Sequence, residues 1–173
     1  MGSVVLTGFM GTGKSTVGRA LADLLGYEYV DTDAVIVERH GPIPAIFAEH
    51  GEGHFRQLER DLAAELAERD GLVVSTGGRM LVDPVNAEVF ERRHLVVALT
   101  ATADMIYERV GGERAAATRP MLAGGDVRAR IADLLAERTP AYARFRLVAT
   151  DDRSPDEIAA EIAALVDPAA ASE

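Results

Sequence analysis

Gly8-Phe9-Met10-Gly11-Thr12-Gly13-Lys14-Ser15 fits G-x-x-x-x-G-K-[ST] at every fixed position. It follows a short β-branched and apolar run, Val4 to Thr7. It opens a segment in which Val17, Leu21, Leu24 and Leu25 recur at helical spacing before Gly26. Strand, glycine-rich loop and helix in that order form a phosphate cradle, because the glycines let backbone N–H groups point into one concavity and the positive end of the helix adds to them. Gly11, Thr12, Gly13, Lys14, Ser15 and Thr16 are thus the candidates for holding ATP. Lys14 would act as a mobile point charge on the β- and γ-phosphates, and Ser15 Oγ as a ligand of Mg2+. Composition singles out the same place: of 18 basic residues 17 are arginine, and Lys14 is the only lysine, at a position for which a guanidinium is too broad and too rigid.

Asp31-Thr32-Asp33 follows a second short strand, Glu28 to Val30, so both carboxylates leave a strand end near the cradle. Two readings are open. The pair is a helix cap or turn. Alternatively, Asp31 holds the metal through water, while Asp33 binds an acceptor hydroxyl and takes its proton during phosphoryl transfer. Leu72 to Thr76 runs into Gly77 and Gly78 and not into the acidic residue that motor and transport ATPases carry at such a strand end. A guanine-specific N-K-x-D would need a second lysine. These two absences argue against such ATPases and against a guanine switch.

The elements that must hold these groups alternate. Leu72 to Thr76 and Leu95 to Leu99 are continuous apolar runs suited to a parallel sheet buried on both faces, and Arg146 to Ala149 adds a last strand. Asp33 to Arg39 and Pro42 to His50 read as short helical pieces, broken by Gly41 and Pro42, and Phe55 to Arg69 as a stronger helix with Phe55 in the core. Further helices are expected over Asp104 to Val110, Asp126 to Arg138, and Pro155 to Val166 behind a Ser154/Glu157 capping box. The fold class is α/β, a three-layer sandwich around a parallel sheet of about five strands. Residues 1–167 are expected as one domain, with 168–173 a frayed tail. Gly111 to Gly125 lacks a clear period and reads as a mobile lid, and Pro120 biases Arg119 to an extended backbone.

At 173 residues with 48% hydrophobic content the chain can bury about 70% of its unfolded surface in one core. It has no cysteine, so disulfides and thiolate chemistry are excluded. Its 28 acidic residues give a net charge of −10, which argues against nucleic acid. No apolar run approaches a membrane span and the N-terminus carries no basic leader, so a soluble cytoplasmic protein is expected; a monomer acting on a small molecule is a separate expectation. His40, His50, His54 and His94 show no ligand spacing and are expected in surface or loop positions. Arg109 is a candidate for stacking on adenine, and Arg114 a solvated charge.

GFMGTGKSTVG at 8–18, DTD at 31–33, GEGHFRQLE at 51–59, GG at 77–78, RPML at 119–122 and ERTPAY at 137–142 together resemble shikimate kinase, in order and approximate spacing along nearly the whole chain. The resemblance implies the nucleoside monophosphate kinase fold, with strand order 2-3-1-4-5. It also implies phosphorylation of the 3-hydroxyl of shikimate in aromatic amino acid biosynthesis. Asp33, Arg56, Gly77, Gly78 and Arg138 would bind shikimate, Ser15 and Asp31 would serve Mg2+, and Arg119 would come from the closing lid. Physically, guanidinium forks suit the acid and a carboxylate suits the hydroxyls, and Glu59, one turn from Arg56, could hold that guanidinium in place.

The family usually has three glycines where this chain has Gly77, Gly78 and Arg79. Arg79 either turns outward or adds a cation to the acceptor pocket. A kinase of the same build acting on an aminated shikimate analogue, a cyclitol or a sugar acid is the first alternative, and an ATP-binding module without catalysis the second.

Overall fold

The computed structural model describes residues 2–166. Strands β1 (Val4–Gly8), β2 (Glu28–Asp31), β3 (Leu72–Ser75), β4 (Leu95–Thr100) and β5 (Arg146–Ala149) form one parallel sheet in the order β2-β3-β1-β4-β5. This is the expected order. Side chains of the central strand alternate between two cores. Val4 and Leu6 pack with α1 (Lys14–Leu25) and α8 (Pro155–Val166), whereas Val5 faces the larger core built on α3 (Ile43–Ala67), α4 (Pro84–Glu91), α5 (Ala103–Val110) and α7 (Val127–Tyr142). Burial on both faces is why β1, β3 and β4 are chiefly apolar, whereas the edge strands β2 and β5 carry Glu28, Asp31 and Arg146.

Local signals set most helix ends. Gly26, in the left-handed region at φ 66°, closes α1 by donating its N–H to the Ala22 carbonyl. The Ser154 hydroxyl accepts from the Glu157 amide at 3.3 Å, and the Glu157 carboxylate accepts from the Ser154 amide at 2.8 Å, which completes the expected box before α8. Helix α4 had not been delimited. Its start follows from Asp83, which accepts from the Val85 amide, and from Pro84 at the first position.

The structure adds detail to four expectations. The expected pieces at 42–50 and 55–69 are the two helical parts of α3, parted at Gly51, whose φ 82° and ψ 171° are not helical; the second part starts a few residues before Phe55. Helix α7 continues past Arg138 and through Pro140 to Tyr142; the missing proline N–H falls in the last turn, and Tyr142 is buried there as an anchor. The aperiodic 111–125 segment contains a 3-10 turn at Gly112–Arg114, helix α6 (Ala115–Thr118) and a second 3-10 turn at Pro120–Leu122. Buried Ala115 and Leu122 tie it to the core. His94 lies in the loop before β4, one of the two expected settings, but it is buried: it accepts from the Ser3 amide at Nδ1 (3.0 Å) and lies 2.8 Å from the Ala67 carbonyl at Nε2. Residues 167–173, which hold the expected tail, lie outside the described residues.

Candidate functional site

The loop between β1 and α1 takes its shape from Gly8, Gly11 and Gly13, with φ of 135°, 72° and 93°. At Gly8 a Cβ would also stand 2.3 Å from the Leu99 carbonyl oxygen, so glycine is required by both conformation and space. Buried Thr12 locks the turn by donating its hydroxyl to the Phe9 carbonyl at 2.7 Å. The Lys14 ammonium is folded back onto the carbonyls of Gly8 (2.8 Å) and Phe9 (2.9 Å). Burial pushes its pKa down from 10.5 to about 8, against the pull of Asp33 and Asp31.

Lys14 and Ser15 open onto a cavity of about 490 Å³ that is also lined by Asp31, Asp33, Arg56, Gly77, Gly78, Arg119 and Arg138. Residues far apart in sequence and singled out for their chemistry thus share one concavity. Asp31 Oδ1 caps α2 (Thr32–His40) by accepting from the amides of Asp33 (3.0 Å) and Ala34 (3.1 Å), and the residue also lines the cavity. Asp33 follows in the first turn. Burial, then the nearby Asp31, raises its pKa above the ordinary carboxylate value, while Lys14 and Arg56 pull it down. Gly77 leaves room for that carboxylate, since a Cβ there would lie 2.6 Å from Asp33 Oδ1. The Gly77 amide is meanwhile held by the Thr32 hydroxyl at 2.9 Å.

Arg56 projects from α3 with NH1 on the Glu59 carboxylate at 2.7 Å, and Nε and NH2 on Glu52 at 3.2 and 3.0 Å. Glu59 is the buried member, its pKa raised by burial against the pull of Arg56. Arg138 on α7 is 4% exposed, with its guanidinium 5.2 Å from the Phe9 ring centroid, and its Nε finds no hydrogen-bond partner among the described residues. A buried guanidinium with an unmatched donor is expensive to keep unless something anionic or polar reaches it. Tyr142, also on α7, donates its hydroxyl to the Gly78 carbonyl and so fixes the strand end that faces Arg138. Arg119 is extended, as its proline neighbour requires (φ −127°, ψ 95°), and reaches the same cavity.

Arg79 lines the cavity too, with NH1 3.6 Å from Glu52. The apolar wall, Met10, Ile43, Phe47, Phe55 and Met121, was missed apart from Phe55, which had been expected only in the core. Phe47, 36% exposed with its ring 4.9 Å from that of Phe55, joins this wall only through the fold.

A second cavity, about 380 Å³, lies on the other side of the phosphate loop against Gly11, Thr12, Gly13 and Thr16. Arg109 borders it, tied to the Thr150 hydroxyl (2.8 Å) and carbonyl (2.7 Å). Arg153 and Pro155 complete the rim; neither had been singled out, since only the fold brings the start of α8 beside the loop. The loop therefore divides two hollows, one lined by acids and guanidinium groups, the other open along its glycines.

The family model for shikimate kinase matches residues 10–167. The shikimate kinase of Geobacter metallireducens is 44% identical over 162 residues, covering 92% of this chain and 89% of that protein. Among solved structures, shikimate kinase from Acinetobacter baumannii in complex with shikimate superposes with a TM-score of 0.86 at 34% identity, over 96% of this chain and 93% of that one. Shikimate kinase from Aquifex aeolicus gives 0.78 at 27% identity, over 99% of each chain.

Proposed function

The chain belongs to the shikimate kinase family, and from that premise we propose that it transfers the γ-phosphoryl group of ATP to the 3-hydroxyl of shikimate. The product, shikimate 3-phosphate, serves aromatic amino acid biosynthesis. The observation that carries this reading is the convergence of Lys14, Asp33, Arg56 and Arg138 on one cavity. Shikimate brings one carboxylate and three ring hydroxyls. Arg56 and Arg138 take the carboxylate, Asp33 and the backbone at Gly77 and Gly78 take hydroxyls, and the unmatched Nε of Arg138 gains its acceptor.

Asp33, already inclined to hold a proton, receives that of the 3-hydroxyl as the oxygen–phosphorus bond forms and the bond from the γ-phosphorus to the bridging oxygen breaks, releasing ADP. Lys14 leaves the loop carbonyls for the β- and γ-phosphates, where low local polarity strengthens its charge. Residues 111–125 act as the lid, carrying Arg119 onto the phosphates and excluding water. The second cavity receives the nucleoside, with the tethered Arg109 beside the base.

Ser15 and Asp31 would hold Mg2+: both offer oxygen to the cavity, and no cluster of three or more His, Cys, Asp or Glu occurs among the described residues. This suits an ion that arrives with the phosphates and keeps most of its water. When bound it neutralises charge on the β- and γ-oxygens. We assign residues 1–167 to one kinase unit, working in the cytoplasm as a monomer without nucleic acid or membrane. No helix among the described residues is long and apolar enough to cross a membrane. ADP formation at saturating MgATP, followed with and without shikimate, is the test. A rate that depends on shikimate and saturates is expected; a rate indifferent to it sinks the reading.

A further inference from the structure

Arg56 is the guanidinium assigned above to the carboxylate of the acceptor, yet both of its paired edges carry protein contacts. Glu59 takes NH1, and Glu52 Oε1 takes Nε and NH2 together, the edge a carboxylate grips with two parallel bonds. The two acids differ. Glu59 is buried, whereas the Glu52 side chain is 53% exposed and is free to swing outward on its long stem. Hydrogen bonding to Arg56, foremost, keeps Glu52 ionised. Glu52 has a second cation at hand: Arg79 NH1 stands 3.6 Å from the same Oε1, too long for a hydrogen bond but within ion-pair range. Arg79 sits at φ −113°, ψ −5°, ordinary for any residue, so replacing the usual third glycine adds a charge without straining the backbone.

Resting on the reading of the cavity given above, we propose that Glu52 occupies Arg56 in place of the acceptor's carboxylate, and that Arg79 takes Glu52 over when the acceptor arrives. Arg79 is then a positioning residue: it does not read the acceptor itself but lowers the penalty of clearing Arg56.

A double-mutant cycle on KM for shikimate at saturating MgATP tests this. Glu52→Ala removes the internal competitor and should lower KM about three- to tenfold, and Arg79→Ala strands Glu52 on Arg56 and should raise it by a similar factor. In the Glu52→Ala background, Arg79→Ala should change KM by less than about twofold. The effects fall on KM and not on kcat, because the contact is broken before the chemical step. Arg79→Lys, which keeps the charge, should stay near wild type. Both residues are exposed, and melting curves check that each variant folds. Equal factors for Arg79→Ala in both backgrounds would show that Arg79 binds the acceptor directly and overturn the proposal. A rise in KM for Glu52→Ala would do the same, by making Glu52 a mere prop. Loss of shikimate turnover in the wild type would instead remove the underlying reading and this inference with it.

Discussion

A methyl group at position 77 would meet the carboxylate of Asp33, since a Cβ there lies 2.6 Å from Oδ1, 3.3 Å from Cγ and 3.4 Å from Oδ2. Ordinary contact begins near 3.4 Å, so the carboxylate must withdraw by about 0.8 Å. Being the far end of a side chain, it rotates away without disturbing β3. Gly77 lies outside the left-handed region, so alanine adopts the same backbone, and its smaller unfolded-state entropy contributes about 0.4–1 kcal/mol in favour of folding. Gly77→Ala should therefore melt within a few degrees of wild type. Misplacing a reacting group by about 1 Å can reduce the rate about 10²-fold, or about 2.7 kcal/mol in the barrier. The assay is kcat from ADP release at saturating MgATP and shikimate, with Asp33→Asn as a companion. The double variant should be little slower than Asp33→Asn alone, because both changes remove the same proton acceptor. A Gly77→Ala enzyme that keeps kcat within about threefold of wild type at unchanged melting temperature would refute the role given to Asp33.

Lys14, with its pKa near 8 in the nucleotide-free protein, is charged below that pH and neutral above it. kcat/KM for ATP, which reports the free enzyme, should fall as pH rises through about 8, while kcat stays flat because bound phosphates restore the charge; a flat kcat/KM to pH 9.5 contradicts this. Arg119→Ala should lower kcat by about 10³ to 10⁵ with the fold intact, checked by single-turnover rates and melting curves. His94→Ala strands the buried Ser3 amide and should be less stable by about 1–3 kcal/mol in urea unfolding, with kcat unchanged.

The phosphate loop was legible because its chemistry is local: the glycines, Lys14 and Ser15 are consecutive, and strand and helix flank them directly. The sheet order came from resemblance and not from periodicity, which says only that strands are buried. Of the two readings of Asp31 the cap is seen directly, since one oxygen caps α2, and the residue also faces the cavity. What stayed hidden depends on tertiary neighbours. No local pattern marks His94 as buried, and only the approach of Ser3 and Ala67 gives its two nitrogens buried partners. Tyr142 looked like the end of a motif until α7 carried it to the Gly78 carbonyl, and Arg153 reaches the second cavity only because α8 packs beside α1. Residues 111–125 defeated periodicity because their turns are three or four residues long, too short to show one.

Phosphorus-31 NMR of the wild-type protein with MgATP and shikimate bears most directly on the transfer itself. One new phosphomonoester resonance should grow in step with ADP and stay absent when shikimate is omitted or Lys14 is replaced by alanine. Inorganic phosphate growing in its place, or ATP that binds and is never consumed, would contradict transfer to an acceptor hydroxyl.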